Sequence, residues 1–487
     1  MSDSRRRWVP VAIFLGVLLS QLVWAWSTPP FRGVDEIDHV FRAASVARGD
    51  IRATELPADG RGALGEVPPG LVRAAQRQCL ALEYDGRSNC IPERTLPNGD
   101  VMIASSAAPY SPVAYAVIGT LAKPWDGVTA LFVMRGVACM LNALILAAAA
   151  WCLVCASRTA WPIAGLVLGL TPMAIYTTMV PSPNGVELAS ATLLWCALLG
   201  LQRAEERFQG RLLAAVGCAG MVLGSVRLTG PIFILLIVGS VTAVDLRRTF
   251  DVVRSRWRET LAVALLTVAA TAYQVYWTLT QPPVSALDSR RPFDLGVILG
   301  QVLLWVFQWI GAFPLRGEPT SSFTYIACGV AFVAVFVQAF RRGDRARRIV
   351  VVVVVLCLLL PFVYTLLTFT SKGTFWQGRY ALPFLMGAPL LLGVSLDRWD
   401  RGDRVLQQLV PVTGILATSA AAIHLVHLER QRPSSAGDPH WHVPPSFAIV
   451  MLATMAAAAF ASAVHGASCS GRQSPVDVEG NQVKERA

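Results

Sequence analysis

Asp35, Glu36, Asp38, His39 and Arg42 fall within one short stretch of the chain. Carboxylates can assist proton transfer, an imidazole can do so or can bind metal, and a guanidinium offers a planar fork for phosphate oxygens. A second group lies far downstream in Lys372-Gly-Thr-Phe-Trp-Gln377-Gly378-Arg379-Tyr380. Arg379 has the fork and Lys372 adds a point charge. Between the two groups stand Tyr110 and Tyr115, in Tyr-Ser-Pro-Val-Ala-Tyr, and Arg227, in Arg-Leu-Thr-Gly-Pro. The residue types suit chemistry on a phosphate-bearing substrate. Neither Asp35-Glu36 with His39 nor His440-x-His442 has the two-histidine spacing of a zinc site. No metal or other cofactor is therefore expected to be required, a divalent cation being the disfavoured alternative.

These residues must be positioned by a membrane. Of 487 residues, 54% are hydrophobic and only 15% charged, against about 25% charge in soluble domains. That excludes a large soluble enzyme, and it excludes disorder and a disulfide scaffold. The net charge of +11 comes almost wholly from arginine, with lysine only at 123, 372 and 484. The arginines cluster between apolar runs, so the basicity points to membrane topology and not to nucleic acid.

Twelve runs are apolar and long enough to cross, near 8–26, 129–155, 161–179, 185–201, 212–226, 229–243, 259–279, 322–340, 349–369, 380–396, 408–426 and 446–465. The expected class is an all-α polytopic membrane protein. Residues 1–465 would form one transmembrane domain and 466–487 a disordered cytoplasmic tail. The positive-inside rule puts both termini and the clusters Arg203 to Arg211, Arg247 to Arg258 and Arg341 to Arg348 in the cytoplasm. The stretches 27–111, a large first loop, and 280–321 then lie outside. Within 280–321, the apolar run 295–310 would break this alternation if it crossed. It is therefore expected to lie in the outer interface or dip back, as Trp305 and Trp309 suit. The runs 212–226 and 229–243 are short and predict a shallow kinked pair.

In the outer loop, Asp35, Asp38, His39 and Arg42 share one face of a helix starting near Val34. On pattern alone this is an interfacial helix with a solvated polar face. Lys372 and Arg379 equally read as snorkelling cations, and Ser182 or Asn184 as an N-cap. Cys79 and Cys90 are the only cysteines of that loop and are disulfide candidates if it faces an oxidising exterior.

Asp35-Glu36-Ile-Asp-His39-Val-Phe-Arg42-Ala43, Tyr110-Ser-Pro-Val-Ala-Tyr115 and Gln377-Gly-Arg-Tyr380 occur in that order. Together they resemble a family of bacterial multi-pass proteins known as a domain of unknown function, within the GT-C superfamily of lipid-linked glycosyltransferases. The chain departs from that pattern at Val34, where proline is usual, and at Asn184, where an aspartate is common. The resemblance implies a GT-C-like fold in the bacterial plasma membrane and a sugar donor carried on polyprenyl phosphate. The acceptor, a glycan, glycolipid or surface protein, would be reached outside the cytoplasm. It implies Asp35 as the base, with Glu36 sharing that role or binding sugar. His39, Arg42, Tyr110, Tyr115, Arg227, Lys372, Gln377, Arg379 and Tyr380 would bind or orient substrate. The transfer would invert the anomeric carbon.

Two other classes compete. A transporter or lipid flippase would usually place ionisable groups at mid-membrane; the spans read as nearly free of them, with Glu187, His424 and His427 near outer ends. A non-catalytic envelope scaffold would tolerate loss of Asp35. The topology predicts that Gly60→Cys and Arg345→Cys, each in a background without other reactive thiols, label from opposite sides of the membrane. Labelling of both by an impermeant maleimide from one side would contradict it.

Overall fold

The computed structural model describes residues 3–52, 55–58, 62–82, 89–91, 99–281, 292–315, 317–341, 345–397 and 404–468. The expected tail from 469 onward, and part of the expected second outer segment, lie outside the described residues. Among the described residues ten helical stretches are long and apolar enough to cross a membrane, and two bent pairs make up to twelve. The chain is an all-α multi-pass membrane protein, with one two-stranded sheet in its first loop.

The spans are Trp8–Ser27, Gly127–Val154, Pro183–Leu201, Glu206–Val226, Trp257–Thr280, Ser322–Phe340, Arg345–Lys372, Gly378–Leu396, Leu406–Arg430 and Ser446–Ala467. The first bent pair is Trp161–Gly169 with Pro172–Met179, turned by 67°. Thr171 caps its second half by accepting from the Ala174 amide, and Pro172 takes the first-turn position where its missing N–H costs nothing. The run 161–179 was expected as one span, so the break is new. Gly169-Leu-Thr-Pro172 is its cause.

The second pair, Gly230–Val244 with Leu246–Ser255, is bent by 107°. The chain also breaks between Val226 and Gly230, where a kink was expected, so the bend at Asp245 is a further one. Glu206–Val226 has 21 residues, about 32 Å, and is long enough to cross. Counting only apolar residues misses its first turns, where Arg256 donates to Gln209 Oε1 and to the Glu206 carbonyl. Leu295–Ile310 has 16 residues, about 24 Å at 1.5 Å each, and is too short for a full crossing.

Pro183–Leu201 and Gly378–Leu396 are almost wholly buried and form the centre of the bundle. Trp257–Thr280 is mostly exposed at its edge. The first loop folds over one end of the bundle. Strands Ala63–Val67 and Val101–Ser105 pair antiparallel, Cys79 and Cys90 form a disulfide, and the helix Glu36–Arg48 packs beneath. That helix is not the surface helix expected from its period. Residues 36–46 are all buried, polar ones included. It crosses Pro112–Ala122 so closely that a Cβ at Gly119 would lie 1.9 Å from the Ala43 carbonyl oxygen.

Where the first span ends at Pro29-Pro30, one guanidinium holds the turn. Arg135, buried within Gly127–Val154, donates to the carbonyls of Ala25 at 3.1 Å, Thr28 at 2.9 Å and Pro29 at 2.9 Å. Its Nε and Nη2 donate to the two Glu36 oxygens, each at 2.7 Å. Removing one member of a buried ion pair costs about 3–5 kcal/mol because the other is left charged and dry. Arg135→Met is therefore expected to lower the melting temperature of the purified protein sharply, or to prevent its accumulation in the membrane. An unchanged melting curve would refute this role.

Candidate functional site

The turn that Arg135 holds projects Asp35 outward. Asp35 sits in the left-handed region at φ 55°, a conformation that Asp tolerates better than most residues and that costs about 1–3 kcal/mol. Its side chain is 47% exposed, whereas its neighbours Val34, Glu36, Ile37 and Asp38 are buried. The Gly33 amide donates to Glu36 Oε2 at 3.0 Å, and the Val34 amide to the Tyr176 hydroxyl at 3.2 Å. The backbone on both sides is thus pinned while the Asp35 carboxylate stays half exposed.

Arg379 meets it there. Its Nη2 donates to Asp35 Oδ2 at 2.5 Å and its Nε to Gln377 Oε1 at 2.7 Å. The 3-10 turn Gly378–Ala381 makes this reach. The Gly378 amide donates to Gln308 Oε1 at 2.5 Å. A Cβ on Gly378 would fall 2.3 Å from the Trp305 carbonyl oxygen, so only glycine lets the turn sit against the short helix Leu295–Ile310. The Gln-Gly-Arg-Tyr sequence is thereby explained residue by residue.

A second guanidinium lies on the same cluster. Arg227 lies 5.1 Å from the Tyr380 ring centre and 5.8 Å from that of Tyr110, geometry suited to cation–π attraction. Arg379 lies 5.2 Å from the Tyr380 ring centre, so Tyr380 bridges the two cations. Arg227 Nη1 donates to Glu187 Oε2 at 2.8 Å and to Asn184 Oδ1 at 2.5 Å, and Thr229 donates to Glu187 Oε1. Asn184 is therefore an acceptor for Arg227 and not the expected helix cap. Ser182 holds the N-cap position but makes no side-chain cap bond.

His39 forms the inner wall. Its Nδ1 lies 2.7 Å from the Tyr115 hydroxyl, and its ring stacks with those of Tyr110 and Tyr115 at 6.0 Å each. Burial lowers its pKa to about 3; Asp35 opposes the shift, while Arg379 and Arg227 add to it. The imidazole is neutral at physiological pH and serves as a hydrogen-bonding wall, not as a cation. Burial likewise raises the phenols of Tyr110 and Tyr115.

Asp35, His39, Tyr110, Tyr115, Arg227, Gln377, Arg379 and Tyr380 thus come together. Three other sequence candidates stand apart. Both Glu36 oxygens are occupied by Arg135, so Glu36 anchors the turn. Arg42 is buried and donates to the carbonyls of Asp50, Ile51 and Tyr110 at 3.3, 2.7 and 3.3 Å, tying loop to loop. Lys372 is exposed, and its Nζ bonds the Tyr364 hydroxyl at 3.2 Å. Asp38 accepts from the Ser106 amide at 2.7 Å and fixes the outer helix to the sheet.

Sequence reading missed Arg135, Glu187 as a partner, Gln308 and Tyr176. Arg135 carried a usable signal, an ionisable residue inside an apolar span, and is one of the few such groups in spans read as nearly free of them. Among the described residues, no group of three or more His, Cys, Asp or Glu converges as a metal site.

Inward of the site lies an apolar cavity of about 290 Å³. It is lined by Leu382, one turn beyond Arg379, and by Trp309, Leu170, Phe332, Met386 and Val410 among others.

Residues 18–388 match the family described as predicted membrane protein DUF2142. The chain belongs to that family. The matched stretch of this DUF2142 member includes Asp35, Arg227 and Arg379. Among solved structures the chain is similar to ArnT from Cupriavidus metallidurans, crystallised with undecaprenyl phosphate. The identity is 13%, the TM-score 0.37, and the match covers 94% of this chain and 77% of that one. A comparison with curated proteins finds no match.

The buried His39 yields a pH prediction. Its pKa is about 3 folded and about 6.5 unfolded, so between those values the unfolded chain binds more protons. Stability then rises with pH up to about 6.5 and falls on acidification, by at most about 1.4 kcal/mol per unit for one group. Melting temperatures should drop from pH 7 to pH 4, and His39→Gln should flatten that slope. An equal slope in the variant would contradict the assignment.

Proposed function

We propose that this protein is a GT-C-type glycosyltransferase that moves a sugar from a polyprenyl-phosphate donor to an acceptor on the outer side of the plasma membrane. The observation that carries the reading is a half-exposed carboxylate, Asp35, bonded to a buried guanidinium, Arg379, with Arg227 held close by through Tyr380. An acceptor hydroxyl needs a base and a departing phosphate needs fixed cations, and one side-chain cluster offers both.

In the proposed step Asp35 takes the proton of an acceptor hydroxyl as its oxygen attacks the anomeric carbon. The carbon–oxygen bond to the lipid phosphate breaks, and its electron pair stays on the phosphate. The phosphate gains one negative charge, which Arg379 and Arg227 stabilise. Displacement from one face inverts the anomeric carbon. Glu187 and the tyrosine rings orient Arg227, and neutral His39 with Tyr115 lines the wall. The isoprenoid tail would enter the apolar cavity that starts at Leu382. In this orientation both termini face the cytoplasm and the first loop faces outside.

The test uses vesicles containing the full-length protein and a native lipid-linked sugar extract, with polyprenyl phosphate release followed by mass spectrometry. Asp35→Asn should insert and fold normally yet release none. Arg379→Lys, which loses the planar fork, should slow release about 10²–10³-fold, the scale seen when one stabilising donor is removed. Wild-type release rates in Asp35→Asn would end the proposal.

A further inference from the structure

Asp35 keeps an uncommon backbone conformation, and the residue that holds it from below is Tyr176. We propose that Tyr176 is the positioning residue of the site, holding the Asp35 carboxylate in its working orientation by a hydroxyl relay to the second outer segment. This rests on the glycosyltransferase reading and extends it to a residue that touches no substrate.

Tyr176 belongs to Pro172–Met179, the outer half of the broken span. Its hydroxyl accepts from the Val34 amide at 3.2 Å and donates to the Pro314 carbonyl at 3.3 Å. One hydroxyl therefore uses both its capacities to join the residue before Asp35 to the 311–320 segment. Its ring packs edge-on against Trp24 at 5.4 Å and Phe313 at 5.0 Å, while the hydroxyl is located by its two bonds. The 67° break of this span is what turns the half-helix beneath Val34.

The 311–320 segment is itself anchored. The Phe313 amide donates to the Glu318 carbonyl at 3.0 Å, and Arg432 pairs with Glu318 at 2.8 Å and with Glu429 at 2.5 Å. Glu429 also pairs with Arg32 at 3.3 Å. A ring of contacts thus runs from Arg32 through Glu429, Arg432 and Glu318 to Pro314, and returns through Tyr176 to Val34. Asp35 lies just past its closing link. Arg135 holds the turn at Glu36, and Tyr176 holds the amide of Val34 on the other side. Without that bond the 34–35 backbone can relax toward an ordinary conformation, and the carboxylate swings off line. Arg379, Gln377 and Arg227 do not depend on the hydroxyl, so phosphate binding should persist.

The experiment compares Tyr176→Phe, Phe313→Leu and Asp35→Asn with wild type as full-length protein in nanodiscs. Turnover is measured over a titration of native lipid-linked sugar extract, and undecaprenyl phosphate serves as the binding probe. Tyr176→Phe keeps the ring, so it should fold. Its saturating turnover per folded molecule should fall at least tenfold, with half-saturation and probe affinity within twofold of wild type. Phe313→Leu, which disturbs the same packing but leaves the hydroxyl, should keep wild-type turnover per folded molecule. Wild-type saturating turnover in Tyr176→Phe would overturn the inference. So would equal losses in both aromatic variants, which would mean packing alone matters. If Asp35→Asn retains transfer, the glycosyltransferase reading fails and takes this inference with it; if only Tyr176→Phe is silent, the reading stands without it.

Discussion

The candidate site depends on one constraint, the turn at residues 29–36 that Arg135 grips. A membrane span that ends in two prolines leaves carbonyls without intrahelical partners, and in a buried setting each needs a donor. Arg135 supplies donors to three of them and closes on Glu36, with every donor of its guanidinium positions engaged. A lysine could not do this, since its point charge lacks the planar fork. The result is a rigid exit from the first span, with the next residue back, Asp35, turned into the open.

Around that rigid turn the cleft is built from cations and carboxylates in matched numbers. Arg379 pairs with Asp35, and Arg227 with Glu187. Partly buried guanidinia are tolerable because each is paired and flanked by aromatic rings. The two pairs differ in access. Glu187 is buried and bonded twice, to Arg227 and to Thr229, whereas Asp35 is half in solvent. One carboxylate is enclosed by its partners and the other keeps access to solvent.

The same logic separates the acidic neighbours Asp35, Glu36 and Asp38. They are adjacent in sequence and look interchangeable in a motif. Glu36 is committed to a buried arginine, Asp38 to a backbone amide at the sheet edge, and Asp35 to the cleft. Helical period alone put Asp35, Asp38 and His39 on one solvated face. The helix instead begins at Glu36 and is buried on all sides of its first turns, because the folded first loop covers it. Period reports which residues share a face, not what covers that face.

The multi-pass class, the approximate spans and the pieces of the site were legible in the chain itself, since long apolar runs and arginine clusters reflect the cost of charge in lipid and act locally. The Gln-Gly-Arg-Tyr and Asp-Glu sequences stood out for the same reason, as polar groups beside membrane helices. Pairing was not legible. Arg135 with Glu36, Arg227 with Glu187 and Tyr176 with Val34 join residues separated by tens to more than a hundred positions, and no period links them. Only the packed bundle decides which carboxylate is consumed by structure and which remains open, because that choice is made by distance and burial among helices that meet in space and not along the chain.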